Sequence, residues 1–153
     1  MRGWLAVPLL AVAIVREARR NRLDPLLVVA LIRMESSFDN YAKSSVGAMG
    51  LMQVMPATGK SVATSRGSKL GRANNLFDAE LNIELGTAYL ASLIARFRSV
   101  ESALVAYNAG PGLARRILAD QAARKRFIAG YPAHVLREFQ RLKAEAPVRL
   151  AER

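Results

Sequence analysis

The chain has 153 residues, of which 52% are hydrophobic and 23% are charged, and this balance predicts one globular domain over residues 1–153 rather than a disordered chain. Cysteine is absent and His134 is the single histidine, which excludes a disulfide framework, a thiol nucleophile and a His- or Cys-based metal site. We therefore expect no metal and no cofactor.

The net charge of +11 lies mostly towards the two ends of the chain. Residues 1–34 carry +4, residues 35–112 carry +1 and residues 113–153 carry +6. Such a surface attracts a polyanion, which could be nucleic acid, anionic lipid or an acidic wall polymer, although a basic face that only aids solubility explains it as well. No aromatic residues are interleaved in the basic pair Arg115-Arg116 or in the basic triplet Arg124-Lys125-Arg126, so we expect no nucleic-acid partner.

The N-terminal segment is apolar from Trp4 to Val15, which is too short a run to span a bilayer. With Arg2 before it and Ala11-Val12-Ala13 within it, the run imitates a secretion signal, but cleavage there would trim a helix that the spacing predicts over Ala11–Asn21. We therefore expect a core helix here and no clear signal peptide.

Helix signals continue along the rest of the chain. Asp24 as N-cap and Pro25 in the first turn predict a buried helix that ends at Glu35. The further predictions are a loop over 38–49, a short helix over 48–54, an irregular stretch over 66–77, and helices over 56–65, 78–97 with Asp78 as cap, 99–110 with Ser99 as cap, 113–119 and 131–143. Because no alternating strand pattern occurs, the predicted class is all-α with at most a very small sheet.

Glu35 is the first candidate for chemistry. It ends an almost wholly apolar helix, and there both poor solvation and the negative end of the helix dipole disfavour a carboxylate. Its pKa is therefore expected to be raised, as a general acid requires. For a glutamate considered alone, a surface residue without a role is the better interpretation.

Two further segments favour a ligand groove. The first, residues 47–56, combines two glycines, Gln53 and three methionines, which suit a groove floor that a bulky ligand approaches closely. The second places Tyr107 and Asn108 just before the helix stop Gly110-Pro111, where a hydroxyl and an amide can face a cleft. Taken singly, a core turn and a simple helix cap explain these segments as well.

Together the segments resemble the lytic transglycosylase family, in its soluble (SLT-type) branch with a lysozyme-like fold. The first motif reads Glu35-Ser36-Ser37-Phe38, Ala42-x-Ser44, Gly47-Ala48-x-Gly50-Leu51-Met52-Gln53, Met55-Pro56 and Thr58. Asn82-Ile83, Gly86 and Tyr89-Leu90 are similar to the middle helix of the family, and Ala106-Tyr107-Asn108-Ala109-Gly110 to its third motif. The resemblance covers about residues 10–145, with motif order and spacing both matching.

The resemblance implies an enzyme that cleaves the β-1,4 bond between N-acetylmuramic acid and N-acetylglucosamine in peptidoglycan without water, leaving a 1,6-anhydro sugar. Glu35 would be its sole acid and base, and Ser44, Gln53, Met55, Tyr107 and Asn108 would line the glycan groove. The implied location is the bacterial cell envelope or periplasm. An anionic wall polymer or membrane surface is a candidate partner of the basic termini, and secretion-apparatus or wall-synthesis proteins are further candidates.

The sequence departs from the family at two places. Asn40 stands where the family usually has proline, and Phe127-Ile128 precede Tyr131 where the family often has a Glu-Thr pair. Two other functions stay open: a lysozyme-type hydrolase on the same fold, and a non-catalytic wall-binding or secretion-apparatus module. A nucleic-acid binder, which rests on charge alone, is a distant third.

Overall fold

The computed structural model describes residues 3–146, with side chains from Val7 onward. Some residues of the charged and apolar segments therefore lie outside this description: Arg2, Arg149 and Arg153 entirely, and Trp4 in its side chain. The backbone divides into two compact units, Met1–Tyr89 and Leu90–Arg153, and the boundary falls inside one long helix. The single domain over residues 1–153 stays a prediction.

The first unit contains three helices, a 3₁₀ helix and the first half of a fourth helix. They are α1 (Gly3–Arg20), α2 (Pro25–Ser36), α3 (Pro56–Ser65), the 3₁₀ helix (Ala73–Phe77) and α4 (Ala79–Phe97). Helix α1 packs on α2, and α3 packs on the 3₁₀ helix. The stretch predicted to be irregular thus contains one short 3₁₀ element. Among the helices described in residues 3–146, none is long and apolar enough to cross a membrane.

Helix α2 begins and ends for local reasons. The Asp24 carboxylate accepts the Leu26 N–H at 2.9 Å, and Pro25 occupies the first turn, where its missing N–H costs nothing. The helix ends where Ser37 adopts a left-handed conformation at φ 49°. Its apolar side chains are buried: Leu27, Val28, Ala30, Leu31 and Ile32. The core of this unit therefore holds the helix that carries Glu35.

The short helix predicted over 48–54 is wrong, because this segment is a turn. Met49 forms isolated β-bridges to Lys43 and Val54, and these are the only β pairings in the part of the chain that the structure describes. Gly50 at φ 77° and Gln53 at φ 50° both take left-handed conformations, which a right-handed helix cannot contain. The all-α class is confirmed, since the described residues form eight α-helices and no extended strand.

The second unit contains the end of α4 and four further helices, α5 (Val100–Ala109), α6 (Pro111–Ala119), α7 (Gln121–Ala129) and α8 (Tyr131–Glu145). Helix α5 packs on α6, α7 and α8. Its N-cap is Ser99, whose hydroxyl accepts the Ser102 N–H at 3.0 Å as the sequence predicts. Helix α7 was missed, because it has no buried residue and so lacks an apolar period.

Candidate functional site

Glu35 is the penultimate residue of α2 and is half-buried. The next residue ties this end of the helix to the loop over residues 42–54. The Ser36 hydroxyl donates to the Leu51 carbonyl at 2.7 Å, and the Ile32 carbonyl one turn back lies at 3.2 Å as a second acceptor. The position of Glu35 is therefore coupled to the loop that follows it in the sequence.

Asn82, a fully buried residue of α4, holds the same loop from the other side. Its side-chain oxygen accepts the Met52 N–H at 2.7 Å, while its amide group donates to the carbonyls of Met49 and Leu76, each at 2.8 Å. One side chain thus pairs with three buried backbone groups, of which the Met49 carbonyl also accepts the Val54 N–H at 3.0 Å.

Two glycines allow the loop to approach α4 this closely. A Cβ built on Gly50 would come within 2.5 Å of the Leu76 carbonyl oxygen, and Gly50 also needs its positive φ of 77°. A Cβ on Gly86 would meet the Met52 side chain at 2.6 Å from Sδ and 2.7 Å from Cβ. Both positions therefore require glycine for the close contact between the loop and α4, and Gly50 requires it also for its backbone conformation.

Gln53 is partly committed to the loop itself. Its amide nitrogen donates to the carbonyls of Ala42 at 3.1 Å and Gly50 at 2.9 Å, which holds the side chain in one orientation. Within residues 3–146, no donor reaches its side-chain oxygen. The half-buried side chain therefore offers a fixed hydrogen-bond acceptor to a ligand.

Ser44 forms a hydrogen-bonded turn with Ala48 inside the loop. Its backbone N–H donates to the Ala48 carbonyl at 2.9 Å, and its hydroxyl oxygen accepts the Ala48 N–H at 3.0 Å. Since the serine oxygen serves as acceptor, its hydroxyl hydrogen remains available as a donor. Met55, 39% exposed, follows the loop directly and is the N-cap residue of α3. The first unit thus brings Ser44, Gln53 and Met55 into one anchored segment next to the end of α2.

Tyr107 and Asn108 lie in the last turn of α5, in the second unit. Tyr107 is half-buried and Asn108 is exposed. The helix ends at Gly110, at φ 85°, whose N–H bonds back to the Ala106 carbonyl at 2.9 Å, and Pro111 starts α6 immediately afterwards. The helix stop that the sequence predicted therefore presents an exposed amide together with a neighbouring phenol.

Sequence reasoning placed Asn82 in a motif but gave it no role. The available signal was an amide at a helix position flanked by apolar residues, since a buried Asn requires partners. It also missed the contact of Tyr41 with Phe77, whose ring centroids lie 5.8 Å apart at 45°. Tyr41 is 75% exposed, so this pair lies at the surface of the first unit. Among the described residues, no group of three or more His, Asp or Glu side chains could hold a metal.

The family model for the transglycosylase SLT domain matches residues 13–128, which cover both Glu35 with its anchored loop and the end of α5. The chain belongs to this family. Membrane-bound lytic murein transglycosylase C of Edwardsiella ictaluri is 44% identical over 69% of the chain, and the transglycosylase of Enterobacteria phage PRD1 is 42% identical over 58%. The chain spans about a third of these relatives, 32% and 30% of their lengths respectively.

Solved structures show the same fold as this SLT domain. The 70 kDa soluble lytic transglycosylase of Escherichia coli matches 83% of the chain and 23% of its own, at 31% identity and a TM-score of 0.74. The Pseudomonas aeruginosa enzyme, solved as an inactive mutant with one glutamate changed to glutamine, matches 87% of the chain and 24% of its own, at 32% identity and a TM-score of 0.72. A 70 kDa soluble lytic transglycosylase in complex with bulgecin A reaches a TM-score of 0.80 over 88% of the chain and 24% of its own, at 28% identity.

Proposed function

We propose that this SLT domain is a lytic transglycosylase that cleaves the bond between N-acetylmuramic acid and N-acetylglucosamine in peptidoglycan glycan strands. The observation that carries the proposal is the coupling of Glu35 to an anchored loop with free polar groups. Ser36 joins the end of the Glu35 helix to the loop at 2.7 Å, and Asn82 holds the loop by three hydrogen bonds. The names of the relatives support the same activity.

Glu35 performs both proton transfers of the proposed reaction. As a carboxylic acid it protonates the glycosidic oxygen, and the bond between that oxygen and C1 of the muramic acid breaks. The acetamido oxygen of the substrate supports the positive charge that develops at C1. Glu35, now a carboxylate, then takes the proton from the C6 hydroxyl while the C6 oxygen bonds to C1. The product is a 1,6-anhydro sugar, and Glu35 returns to its protonated form.

The single-acid scheme fits the surroundings of Asp39, the carboxylate that follows Glu35 next in the sequence. Ordinary glycosidases place two carboxyl groups across the scissile bond. Asp39 lies four residues after Glu35, but it is exposed and its carboxylate accepts the Tyr41 N–H at 2.9 Å within a surface turn. This bond holds Asp39 in the turn and supports a mechanism in which Glu35 is the only acid. An inactive relative with one Glu→Gln change agrees with dependence on one glutamate.

The polar groups of the loop would orient the glycan. The free oxygen of Gln53 would accept a hydrogen bond from a sugar hydroxyl or amide, and the Ser44 hydroxyl would donate one. Met55 would add an adaptable apolar contact. We assign Tyr107 and Asn108 to the same substrate, with support from the exposure of Asn108 at the end of α5 and from the motif that both belong to.

The proposed location is the bacterial cell envelope, where this substrate is found. An anionic wall polymer is the proposed partner of the basic side chains on α6 and α7. Arg115, Arg116, Arg124, Lys125 and Arg126 are all exposed, so they can meet such a polymer. Proteins of a secretion apparatus or of wall synthesis are also proposed as partners, and the envelope location is the only support for them.

Product analysis tests the proposed reaction. Purified protein is incubated with peptidoglycan, and the released muropeptides are measured by mass spectrometry. We expect products that end in 1,6-anhydro-N-acetylmuramic acid and are lighter by one water than the products of hydrolysis. Reducing-end products alone would assign the domain to the lysozyme-type hydrolases. No release of muropeptides from wall on which the Escherichia coli enzyme is active would favour a non-catalytic wall-binding module.

A further inference from the structure

Helix α1 has an exposed apolar face that the glycan reaction does not use. Leu9 and Val12, three residues apart and so on one side of the helix, are 62% and 60% exposed. Ile14 and Ala18, on the opposite side of the same helix, are buried. The sequence has no polar residue from Val7 to Val15, so the outer side of this stretch is as apolar as the inner side. Large apolar side chains clustered in water on one helix face mark a binding surface.

The same face becomes basic at its C-terminal end. Arg16, Arg19 and Arg20 follow the apolar stretch, and all three are exposed. The buried Glu17 carboxylate accepts hydrogen bonds from Arg16 at 3.0 Å and Arg20 at 3.3 Å, so it offsets only part of their charge. The remaining excess favours an anionic partner beside the apolar one. A single shallow depression of about 570 Å³ joins the two regions, since it is lined by Ala11, Val12, Val15, Arg16 and Arg19.

An anionic lipid surface combines both requirements. Helices that lie in a bilayer interface insert apolar side chains to the depth of the headgroups and place Lys or Arg at the phosphates. The nine residues from Val7 to Val15 rise only about 14 Å, too little to cross a hydrocarbon core of about 30 Å. A docked helix therefore fits this stretch, and a spanning helix does not.

We propose that the outer face of α1 docks on an anionic lipid bilayer. Val12, with Ala11 and Val15 beside it, enters the boundary between headgroups and acyl chains, and Arg16 and Arg19 contact lipid phosphates. A neighbouring apolar groove of about 940 Å³ is bordered by the carboxylates Asp39, Asp78 and Glu80 and also includes residues of α1. These acidic groups repel an anionic bilayer, so the contact is made through the side of α1 that carries Val12 and Arg19.

The proposal is independent of the proposed reaction. None of its residues belongs to the anchored loop, to the end of α2 or to the end of α5. Failure of the lipid contact would therefore leave Glu35 and its product unaffected, and an inactive enzyme could still bind vesicles.

Vesicle binding tests the proposal with a matched pair of variants. Co-sedimentation is measured with phosphatidylcholine vesicles, with and without phosphatidylglycerol. We expect binding to the phosphatidylglycerol vesicles, and we expect Val12→Glu to weaken it about tenfold or more because a buried apolar side chain is lost. Phe127→Glu makes the same change at a 40% exposed residue beside the basic residues of α7, and should bind like the parent. Arg19→Gln should weaken binding, and added salt should weaken it further.

A site-specific reporter provides the second measurement. The chain has no cysteine, so Val12→Cys accepts one environment-sensitive dye, and Phe127→Cys is the control. Emission should shift to shorter wavelength on vesicle addition only for the dye at position 12. The proposal is overturned if the parent binds neither vesicle, or if Val12→Glu binds as well as the parent. A vesicle-independent shift that rises with protein concentration, together with a dimer in sedimentation velocity, would make a second copy the partner and equally overturn it.

Discussion

The side-chain oxygen of Asn82 accepts a 2.7 Å hydrogen bond from the backbone N–H of Met52, thirty residues earlier in the chain. Its amide nitrogen reaches the Met49 carbonyl in the same loop at 2.8 Å. A buried side chain of α4 therefore determines the path of the loop that carries Gln53. Residues at which a ligand is proposed to bind depend on a residue that is itself fully buried.

Replacing Asn82 by alanine should destabilise the fold. The buried Met52 N–H and Leu76 carbonyl would lose this partner, whereas the Met49 carbonyl keeps the Val54 N–H at 3.0 Å, and each unsatisfied group costs about 1–3 kcal/mol. We expect Asn82→Ala to lower the free energy of unfolding by about 2 kcal/mol or more, measured by urea denaturation. Asn74→Ala is the control, because Asn74 is exposed and should change it by less than about 0.5 kcal/mol. A loss below about 1 kcal/mol for Asn82→Ala would contradict the role given to this residue.

Gly86→Ala and Gly112→Ala should change the free energy of unfolding in opposite directions. Alanine normally stabilises a helix relative to glycine by about 1 kcal/mol. In α4, however, a Cβ at Gly86 would lie 2.7 Å from the Met52 Cβ, which cannot move without the loop. We expect Gly86→Ala to destabilise by about 1–3 kcal/mol. Gly112→Ala in α6 meets nothing within 4 Å and should stabilise by up to about 1 kcal/mol. Thermal or urea unfolding measures both, and a stabilising Gly86→Ala would show that Met52 yields freely.

The catalytic role of Glu35 predicts a large effect on rate with little effect on folding. Glu35→Gln keeps the shape of the side chain but removes the proton-transfer group, so we expect muralytic activity to fall by about 10²–10⁴-fold. Clearing of cell-wall suspensions measures the rate, and circular dichroism checks the fold.

Asp39→Asn is the matched control for Glu35→Gln. The amide oxygen of asparagine can still accept the Tyr41 N–H, which the Asp39 carboxylate accepts at 2.9 Å, so the surface turn should persist. Activity near that of the parent is expected for Asp39→Asn. Similar losses for both variants would indicate two catalytic carboxylates, and an active Glu35→Gln would remove Glu35 from the mechanism.

The basic residues of α7 should affect adhesion to the wall rather than chemistry. Glutamine at Arg124, Lys125 and Arg126 should reduce sedimentation with insoluble sacculi, and the difference from the parent should shrink as salt rises, because exposed charges are screened beyond about 8 Å at physiological ionic strength. Cleavage of a short, uncharged glycan fragment should be largely kept.

A second triple variant with the same change in net charge distinguishes an effect of the α7 cluster from an effect of total charge. Glutamine at the exposed Lys60, Lys69 and Arg72 also removes three positive charges, but from the first unit. If both triple variants pellet equally, total charge and not α7 governs adhesion. If both pellet like the parent, the basic C-terminal region serves only solubility. Loss of activity on the short fragment in the α7 variant would place these residues in the substrate groove.

The helix boundaries show what local sequence decides. Asp24, Asp78 and Ser99 each accept a backbone N–H of the first turn in the helix that they were predicted to cap. Such contacts span only two or three residues, so they can be predicted from the sequence without knowing the fold. The motif around Glu35 and the motif at Tyr107 were likewise visible as residue patterns, and they led to the family that the comparisons confirm.

The turn over residues 48–54 was decided by tertiary structure. Its apolar residues were compatible with a short helix, and the segment became a turn because Asn82 and Ser36, both outside it, bind its backbone at Met49, Leu51 and Met52. Helix α7 was missed for the opposite reason. The Asp120 carboxylate caps it locally by accepting the Ala123 N–H, but the helix has no buried side chain and so no apolar pattern in the sequence.

The sequence by itself therefore determined the capped helices, the all-α class and the residue types available for catalysis, because each depends on neighbours a few positions away. Tertiary structure decided which polar groups remain free for a ligand. The Gln53 amide nitrogen is used by Ala42 and Gly50 while its oxygen is left open within residues 3–146, and only the folded loop makes that distinction. Hydrogen bonds between distant residues are absent from local sequence patterns, because the fold must bring their partners together first.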